Sequence, residues 1–571
     1  MKTCLHAATV AAALLVAGSA GAQPQGASDP RVGLRAGVHD AGFAAWGLEL
    51  VGHVAKPEGF YNPEDPGDFS MMNSDMAFQG NTLYLGNFHG LQVYDISDPT
   101  SPRLVATVEC PGGQNDVSVH GDLLFMSVEE TRGRLDCGPE GVQAPASPER
   151  FRGVRIYDVR DVDHPRQVAA VQTCRGSHTH TLVPDPNDDS HVYLYVSGTS
   201  GVRPTEELAG CSSADADDPA SSRFRIEVIE VPLDNPAGAA IVNAPAFLRG
   251  LEGVPVHGAT PEMVAAAAAV AAEARARGEF TFTNDGLEMV LPSVISRQLL
   301  DQIVAGRGGT GEPTAADSTT LRTALPAMAA QQEAAQEGPA TGPDQCHDIT
   351  VYNAVGLAAG ACGGYGILLD ISDPANPVRI DAAADSNFAY WHSATFSDDG
   401  TAVVFTDEWG GGMAPRCRAM DRPEWGANAL FSIDNRQLTF RSYYKLPAAQ
   451  TESENCVAHN GSLVPIAGRD IMVQGWYQGG TSVFDFTDPA NPVEIAYFDR
   501  GPLNAEELGM AGHWGAYWYN GHVYASEIGR GLDVFRLVPT EHLSAAEIAA
   551  AEGIQVEAFN PQTQERIAWG E

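Results

Sequence analysis

The stretch that decides the fold is Val93–Pro102, which reads VYDISDPTSP. It returns as IYDVRDVDHP at 156–165, as LLDISDPANP at 368–377 and as VFDFTDPANP at 483–492. Each copy begins with the alternation of apolar and polar residues that is typical of a half-buried β-strand. A turn rich in Asp and Pro follows, and a second alternating run comes after it. The repeat therefore predicts a series of antiparallel strand pairs joined by the same turn.

Weaker copies fill the gaps between the clear ones and bring the number of units to seven. They lie at Ile229–Pro232, Phe431–Asp434 and Val534–Leu537. Two strand-like runs precede each copy, and four short antiparallel strands make one blade of a β-propeller. The last unit ends after its third strand, whereas Gly47–Val54 resembles an unpaired strand. We therefore predict an all-β fold, a seven-bladed β-propeller over residues 46–538 that this N-terminal strand closes.

The four clear copies resemble the LVIVD repeat, a sequence family of exported bacterial β-propellers. The resemblance implies a propeller fold and a periplasmic or cell-surface setting. It implies no reaction common to the family, so the function has to come from residues particular to this chain.

One long segment departs from the repeat between the third and fourth units. Thr260-Pro261-Glu262 opens an Ala-rich run that ends at Gly278, an order of cap, proline and glycine that predicts a helix. Residues 292–305 predict a second helix, and 306–345, rich in Gly, Thr, Ala and Gln, predict a linker. The predicted organisation is a signal peptide at 1–22, blades 1–3 with the closing strand at 46–244, a helical and low-complexity insertion at 245–345, blades 4–7 at 346–538 and a helical C-terminal tail at 539–571.

The charge of the chain disfavours two classes of partner. Its 571 residues include 34 Lys and Arg against 73 Asp and Glu, a formal net charge of −39. Nucleic acids and anionic membrane surfaces are bound mainly by Lys and Arg, so neither is an expected partner. Lysine is nearly absent, with Lys2, Lys56 and Lys445 as the only copies.

The N-terminus predicts export. Lys2, an apolar run and Ala20-Gly21-Ala22 follow the order of a secretory signal peptide that is cleaved after Ala22. No later apolar run reaches the length of a membrane span. We therefore expect an exported protein that is periplasmic, secreted or located at the cell surface.

Eight cysteines follow the predicted signal peptide, an even number that favours four disulfides in an oxidising compartment. Half of them precede a strand-like run, and the other half follow one in a loop rich in Gly or Pro. This alternation favours the pairs Cys110–Cys137, Cys174–Cys211, Cys346–Cys362 and Cys417–Cys456. The spacing alone leaves other pairings open.

A second pattern appears when the first strands of the seven units are aligned. The equivalent positions are Ser74, Asn115, His178, His347, His392, His459 and His513. Histidine occupies five of these seven positions, and His180 follows His178 by two residues. The first strand of each blade lines the central channel of a propeller, so the histidines are expected to form a ring at one end of it.

Imidazoles from several blades can converge on one metal ion, because neutral histidine is the commonest ligand of Zn, Cu and Fe. We predict a mononuclear transition-metal site for Fe, Cu, Zn or Mn, with the candidate ligands His178, His180, His347, His392, His459 and His513. The candidates for orienting the ring nitrogens or acting as a base are Glu129, Glu408 and Glu527. A repeated histidine can instead serve the fold, its ring bonded to a neighbouring blade. The convergence of five favours the metal.

Two functions of different classes follow from this pattern. The favoured one is a metal-dependent oxidoreductase or lyase that uses redox or Lewis-acid chemistry on a small organic molecule. The insertion is expected on the same face as His178 and His347, where it can act as a lid. The alternative is a non-catalytic surface propeller for adhesion or scaffolding that binds a protein or a glycan. Bound transition metal separates the two.

Overall fold

Nearly all regular structure in the chain is β-strand. The computed structural model describes residues 29–144, 146–284, 286–336 and 342–567. These ranges contain 33 strands, with only four α-helices and three short 3-10 helices. The all-β prediction is confirmed. The predicted signal peptide at 1–22 lies outside the described residues.

Two strands and then three four-stranded units begin the chain. The two strands are β1 (Phe43–Trp46) and β2 (Leu48–Ala55). The first unit comprises β3 (Asn73–Gln79), β4 (Thr82–Asn87), β5 (Gly90–Asp95) and β6 (Arg103–Glu109). The second comprises β7 (Val117–His120), β8 (Leu123–Val128), β9 (Gly153–Asp158) and β10 (Arg166–Gln172). The third comprises β11 (Thr179–Pro184), β12 (His191–Ser197), β13 (Glu227–Pro232) and β14 (Ala240–Asn243). Each unit is antiparallel, with its strands side by side in chain order.

Three helices and a hairpin form the insertion that follows. They are α1 (Pro261–Arg277), β15 (Thr281–Asn284), β16 (Leu287–Val290), α2 (Ser293–Gly306) and α3 (Ala315–Gln336). The Thr260 side chain accepts a hydrogen bond from the Met263 N–H, and Gly278 ends α1 with a φ of 93°. Both predicted helices are confirmed. The predicted linker is wrong over α3, because Leu321 and Leu325 place two apolar side chains on one helix face and bury them within the insertion.

Four further units complete the repeat. The fourth unit comprises β17 (Ile349–Tyr352), β18 (Leu357–Cys362), β19 (Tyr365–Asp370) and β20 (Val378–Ala384). The fifth comprises β21 (Trp391–Phe396), β22 (Ala402–Asp407), β23 (Asn428–Asp434) and β24 (Gln437–Tyr444). The sixth comprises β25 (Asn460–Ile466), β26 (Arg469–Gly475), β27 (Thr481–Asp485) and β28 (Val493–Arg500). The seventh has only β29 (His513–Tyr519), β30 (His522–Glu527) and β31 (Gly531–Leu537) from this part of the chain.

The N-terminal strands complete the last two units. β2 pairs antiparallel with β31, from Leu48 opposite Leu537 to Ala55 opposite Gly531, and supplies the fourth strand of the seventh unit. β1 pairs antiparallel with β28 at the outer edge of the sixth unit. These pairings cover strand edges that would otherwise expose unpaired backbone groups.

The first strands of the units contact one another in a closed order. β3 contacts β7, β7 contacts β11, and the order continues through β17, β21 and β25 to β29, which contacts β3. We call the end of this ring at which the first strands begin the upper end, and the opposite end the lower end. The quoted repeats form the third strands β5, β9, β19 and β27, whose apolar side chains are buried between units.

The C-terminal tail begins with the helix that its sequence predicts. This helix, α4 (Ala545–Glu552), has a capping box formed by Ser544 and Glu547. Two short strands follow, β32 (Ala558–Phe559) and β33 (Thr563–Gln564). β32 pairs with the end of β3, and β33 runs parallel to β17.

Side chains of the tail bond to the lower ends of three other first strands. Asn560 accepts from the N–H and donates to the C=O of Val119 in β7. Gln564 does the same to Phe396 in β21, and Thr563 donates to the carbonyl of Leu182 in β11. The tail therefore crosses the lower end of the ring and ties five units together.

All four predicted disulfides are present. They are Cys110–Cys137, Cys174–Cys211, Cys346–Cys362 and Cys417–Cys456. Four disulfides point to an oxidising, exported environment. None of the helices in the described residues is long and apolar enough to cross a membrane.

Two of the three lysines are internal. Lys445 is 1% exposed and its ammonium donates to the carbonyls of Arg416 and Gly426. Lys56 is 8% exposed and donates to the carbonyl of Ile528. Burial lowers the pKa of each to about 8. Both lysines therefore serve as internal hydrogen-bond donors to loop carbonyls.

Candidate metal centre

Four of the predicted histidines meet at the upper end of the ring. His178 and His459 directly precede β11 and β25, His347 lies just ahead of β17, and His392 is within β21. The Nε2 atoms of His178 and His347 are 2.5 Å apart. The ring centroids are 4.0 Å apart for His347 and His392, and 4.2 Å apart for His392 and His459. We call these four residues the histidine cluster.

Disulfides anchor the chain next to three members of the cluster. Cys174 and Cys456 lie a few residues ahead of His178 and His459, Cys346 directly precedes His347, and each of these cysteines is disulfide-bonded. A covalent anchor at this point limits how far the start of a first strand can move. The arrangement favours a preformed site over one that assembles on binding.

Carboxylates hold the outer nitrogens of two cluster histidines. Glu129 Oε2 lies 2.7 Å from His178 Nδ1, and Asp348 Oδ1 lies 3.0 Å from His347 Nδ1. A carboxylate on one ring nitrogen fixes the orientation of the imidazole and directs its other nitrogen to the opposite side. Here the other nitrogens of both rings point towards each other.

Glu408 lies against the other two histidines. Its Oε2 is 3.7 Å from His392 Nε2, and its Oε1 is 3.6 Å from His459 Nε2. The Tyr477 hydroxyl donates to Glu408 Oε1 at 2.5 Å. Potential ligand atoms of His347, His392 and Glu408 all lie within 4.8 Å of one another, a spacing that a single metal ion can bridge. All three residues are buried.

Two fully buried ring nitrogens in the cluster have no hydrogen-bond partner among the described residues. They are His392 Nδ1 and His459 Nε2. His459 Nδ1 is bonded to the Trp514 carbonyl, which makes it the protonated nitrogen and leaves a lone pair on Nε2. A buried nitrogen without a partner is costly in a folded protein, and a bound metal ion would remove that cost.

The electrostatics set His178 apart from the other three histidines of the cluster, and burial lowers the pKa of His347 as it does those of His392 and His459. Burial lowers the pKa of His459 to about 3 and, together with the charge of neighbouring histidines, lowers that of His392 well below its usual range. Burial also opposes charge at His178 and Glu129, but their mutual attraction outweighs it, raising the pKa of His178 and lowering that of Glu129. Burial raises the pKa of Glu408 to about 8. His392 and His459 are thus neutral imidazoles, the form that binds metals.

His180 and His513 do not join the cluster. His180 Nε2 lies 2.6 Å from Ser118 Oγ, and its Nδ1 lies 2.8 Å from Ser127 Oγ. His513 Nδ1 lies 2.7 Å from Thr481 Oγ1, and its Nε2 lies 3.1 Å from Asp533 Oδ2. Both nitrogens of each ring are engaged, so these two histidines serve contacts within and between units.

Glu527 also lies apart from the cluster. It accepts a hydrogen bond from the Gly512 N–H and pairs with Arg530 at 2.7 Å. Asp348 was not among the predicted site residues, although its place directly after His347 is a usable signal.

The backbone at Tyr477 is unusual. Its φ is 53°, in the left-handed region that a bulky residue rarely adopts. Two glycines make room for it: a Cβ on Gly412 would lie 2.3 Å from the Tyr477 hydroxyl, and a Cβ on Gly512 would lie 1.9 Å from its carbonyl carbon. Strained conformations of this kind cluster at functional sites. The strained backbone of Tyr477 thus places its phenol hydroxyl against the Glu408 carboxyl.

Among known proteins, one repeat family and two distantly similar structures resemble this chain. The LVIVD repeat family matches residues 72–109, which confirms the resemblance seen in the sequence. No curated protein matches the chain. Among solved structures, the chain is similar to a proposed 6-phosphogluconolactonase from Bacteroides uniformis, with 9% identity, a TM-score of 0.38, and coverage of 80% of this chain and 89% of the other. It is also similar to a protein from Lactobacillus plantarum, with 11% identity, a TM-score of 0.38, and coverage of 82% and 97%.

Proposed function

We propose that the seven units are the blades of one β-propeller that β2 closes. The closed order of contacts among the first strands and the pairing of β2 with β31 support this. The proposed boundaries are blades 1–3 with the closing strand at 46–244, the insertion at 245–345, blades 4–7 at 346–538 and the tail at 539–571.

Within this propeller we propose a transition-metal site at the upper end of the channel, held by His178, His347, His392 and His459. The observation that carries the proposal is the convergence of four buried imidazoles, two of which have a nitrogen without a partner. Imidazole nitrogens suit Fe, Cu and Zn, and a carboxylate beside them, such as that of Glu408, would suit Mn. Glu408 lies close enough to be a further ligand or a base beside the metal.

The protein is proposed to be an exported metalloenzyme that acts on a small organic molecule. The metal would supply Lewis-acid or redox chemistry. The chain's own part is to orient two imidazoles through Glu129 and Asp348, to hold the Glu408 carboxyl through Tyr477, and to keep water from the site by burial. Four disulfides support the exported setting.

Elemental analysis of the purified protein tests this proposal. We expect close to one transition-metal ion per chain, and a loss of most of it in His392→Ala and in His459→Ala, since each removes a buried neutral donor. His164→Ala is the matched control, because the His164 side chain is 82% exposed on a turn. A parent protein that holds no Fe, Cu, Zn or Mn after metal-replete expression would overturn the proposal and favour the non-catalytic scaffold.

A further inference from the structure

The histidine cluster is shut off from solvent. His392 and His459 are each 1% exposed, and His178 is 8% exposed. A substrate can reach these residues only if some part of the surrounding structure moves. The parts that cover the upper end therefore decide which molecules are admitted.

The insertion covers the upper end through apolar side chains. Met263 of α1 and Leu287 of β16 belong to the same buried apolar cluster as Trp409, Tyr477, Met510 and Trp514. The last four come from loops and strands at the upper end of the fifth, sixth and seventh units. We call this contact between the insertion and the upper end the apolar seam.

The apolar seam is continuous with the histidine cluster. The Trp514 ring lies 4.8 Å from the His459 ring, and the Tyr477 ring lies 4.6 Å from it. Tyr390 borders the cluster on the other side, 5.5 Å from His347. A molecule that moved from the seam to the cluster would therefore pass between aromatic walls.

Polar contacts tie the two ends of the insertion to the blades: the Tyr365 hydroxyl donates to the Glu252 carbonyl, and Arg223 pairs with Asp344. Apolar packing and ring stacking hold the part between these ends, residues 254–336. Among the described residues, the hydrogen bonds and ion pairs of segment 254–336 are made within that segment. His257 stacks on Trp425 with centroids 3.7 Å apart and meets the edge of Trp409. Contacts of this kind hold two surfaces together without fixing one relative position.

The insertion leaves and rejoins the blades at one place. A Cβ on Gly342, after the insertion, would lie 1.9 Å from the carbonyl oxygen of Leu251, ahead of it. Two adjacent connections can act as a hinge, because the segment between them can turn without pulling strands apart.

We propose that the insertion is a lid and that the molecule it admits is uncharged, with an aromatic or extended apolar body. The reaction of the admitted molecule rests on the proposed metal site, whereas the lid and its contacts do not. An uncharged apolar molecule can replace the lid's side chains against Tyr477 and Trp514 at little cost. A charged molecule would lose its hydration against the same walls.

Met263→Glu is the variant that opens the lid. Met263 is buried in the apolar seam, and it also occupies the position in the first turn of α1 whose N–H bonds to Thr260. Glutamate at this position completes a capping box, so α1 is not weakened and only the seam is broken. Met328→Glu is the matched control, because Met328 is 41% exposed on α3 of the same insertion.

The neutral dye Nile red is the probe. Met263→Glu is expected to bind it on the order of tenfold more tightly than the parent or Met328→Glu, a difference of about 1.4 kcal/mol. Neutral 1-naphthalenemethanol should displace the dye, whereas naphthalene-1-sulfonate and 1-naphthylmethylammonium should displace it at least about tenfold less well. His257→Ala, which removes the stacking on Trp425, should raise dye binding in the same direction.

Three results would overturn the inference. The first is a Met263→Glu protein that is folded by circular dichroism but binds no more dye than the control. The second is a charged naphthalene that displaces the dye as well as the neutral one. The third is a Met263→Glu substitution that changes the unfolding temperature and nothing else. Dye binding needs no metal. If the metal-loaded protein shows none of the expected changes in dye binding, the lid proposal is refuted and the metal-site proposal stands. If the purified protein holds no metal but binds the dye as expected, the metal-site proposal is refuted and the lid proposal stands.

Discussion

The two ends of the ring of first strands are covered in different ways. At the upper end, the insertion contacts the blades through apolar and aromatic side chains such as Met263 and Trp514. At the lower end, Asn560 and Gln564 of the tail each make a pair of hydrogen bonds to the backbone of a first strand. Paired hydrogen bonds have a fixed direction and register, and apolar contacts do not. This difference agrees with a fixed closure below and with the proposed lid above.

Removing the lower closure should have the largest effect. Ending the chain at Val556 deletes β32 and β33 and five side-chain hydrogen bonds to Val119, Leu182 and Phe396. At about 1 kcal/mol for each bond, we expect a loss on the order of 5 kcal/mol in the free energy of unfolding. Denaturant titration measures it. A truncated chain that unfolds at the same denaturant concentration as the parent would contradict a structural role for the tail.

A single tail side chain should show the same effect on a smaller scale. Gln564→Ala leaves the N–H and C=O of the buried Phe396 without partners. Unpaired buried groups of this kind cost about 1–3 kcal/mol. Gln555→Ala is the control, because the Gln555 amide is exposed and bonds to the nearby carbonyls of Glu552 and Ile554. Equal unfolding midpoints for the two variants would show that the paired bonds add nothing.

The interior of the ring between the two ends should respond to pH. Asp75 there receives a hydrogen bond from Tyr517, and the tail residue Gln562 also reaches it. Burial nevertheless raises the pKa of Asp75 to about 7, whereas an unfolded aspartate titrates near about 3.9. Between these values the folded chain keeps a proton that the unfolded chain has lost. Asp75 therefore stabilises the fold more as the pH falls from about 8 to about 6, by about 1.4 kcal/mol.

Asp75→Asn should reduce this pH dependence. We expect the free energy of unfolding of the variant to change less than that of the parent over the same interval, as measured by denaturant titration at both pH values. Asp163→Asn, at an exposed turn position, should leave the parent's pH dependence in place. If both variants follow the parent, Asp75 is ionised in the folded chain and the interior of the ring is wetter than its burial indicates.

Much of the fold could be predicted from local sequence. The Asp-Pro turn after Val93–Ile96 recurs because each unit needs the same reversal between its third and fourth strands. The position of each cysteine before or after a strand favoured the observed disulfide pairs but left other pairings open. The tail could not be predicted in this way, since nothing local in Asn560 or Gln564 shows that their amides replace a strand partner of Val119 and Phe396.

The site could be predicted in part for a similar reason. Alignment of the first strands singles out His178, His347, His392 and His459, and equally His513. It cannot show that Thr481 and Asp533 engage both nitrogens of His513, because those partners come from other strands. The contact between the Tyr477 phenol and Glu408 could not be predicted, because it depends on the positive φ of Tyr477 and on glycines far away in the chain.

The burial of Lys56 and Lys445 has a chemical consequence for the folded surface. Among the described residues, these two are the only lysines, so reagents that acylate, cross-link or glycate an ε-amine find none exposed there. The cations of the described surface are arginine guanidinium groups, which such reagents leave intact. Unfolding would release both amines into solvent at once. Amine labelling of this protein would therefore report how often the chain opens, and would say little about its surface.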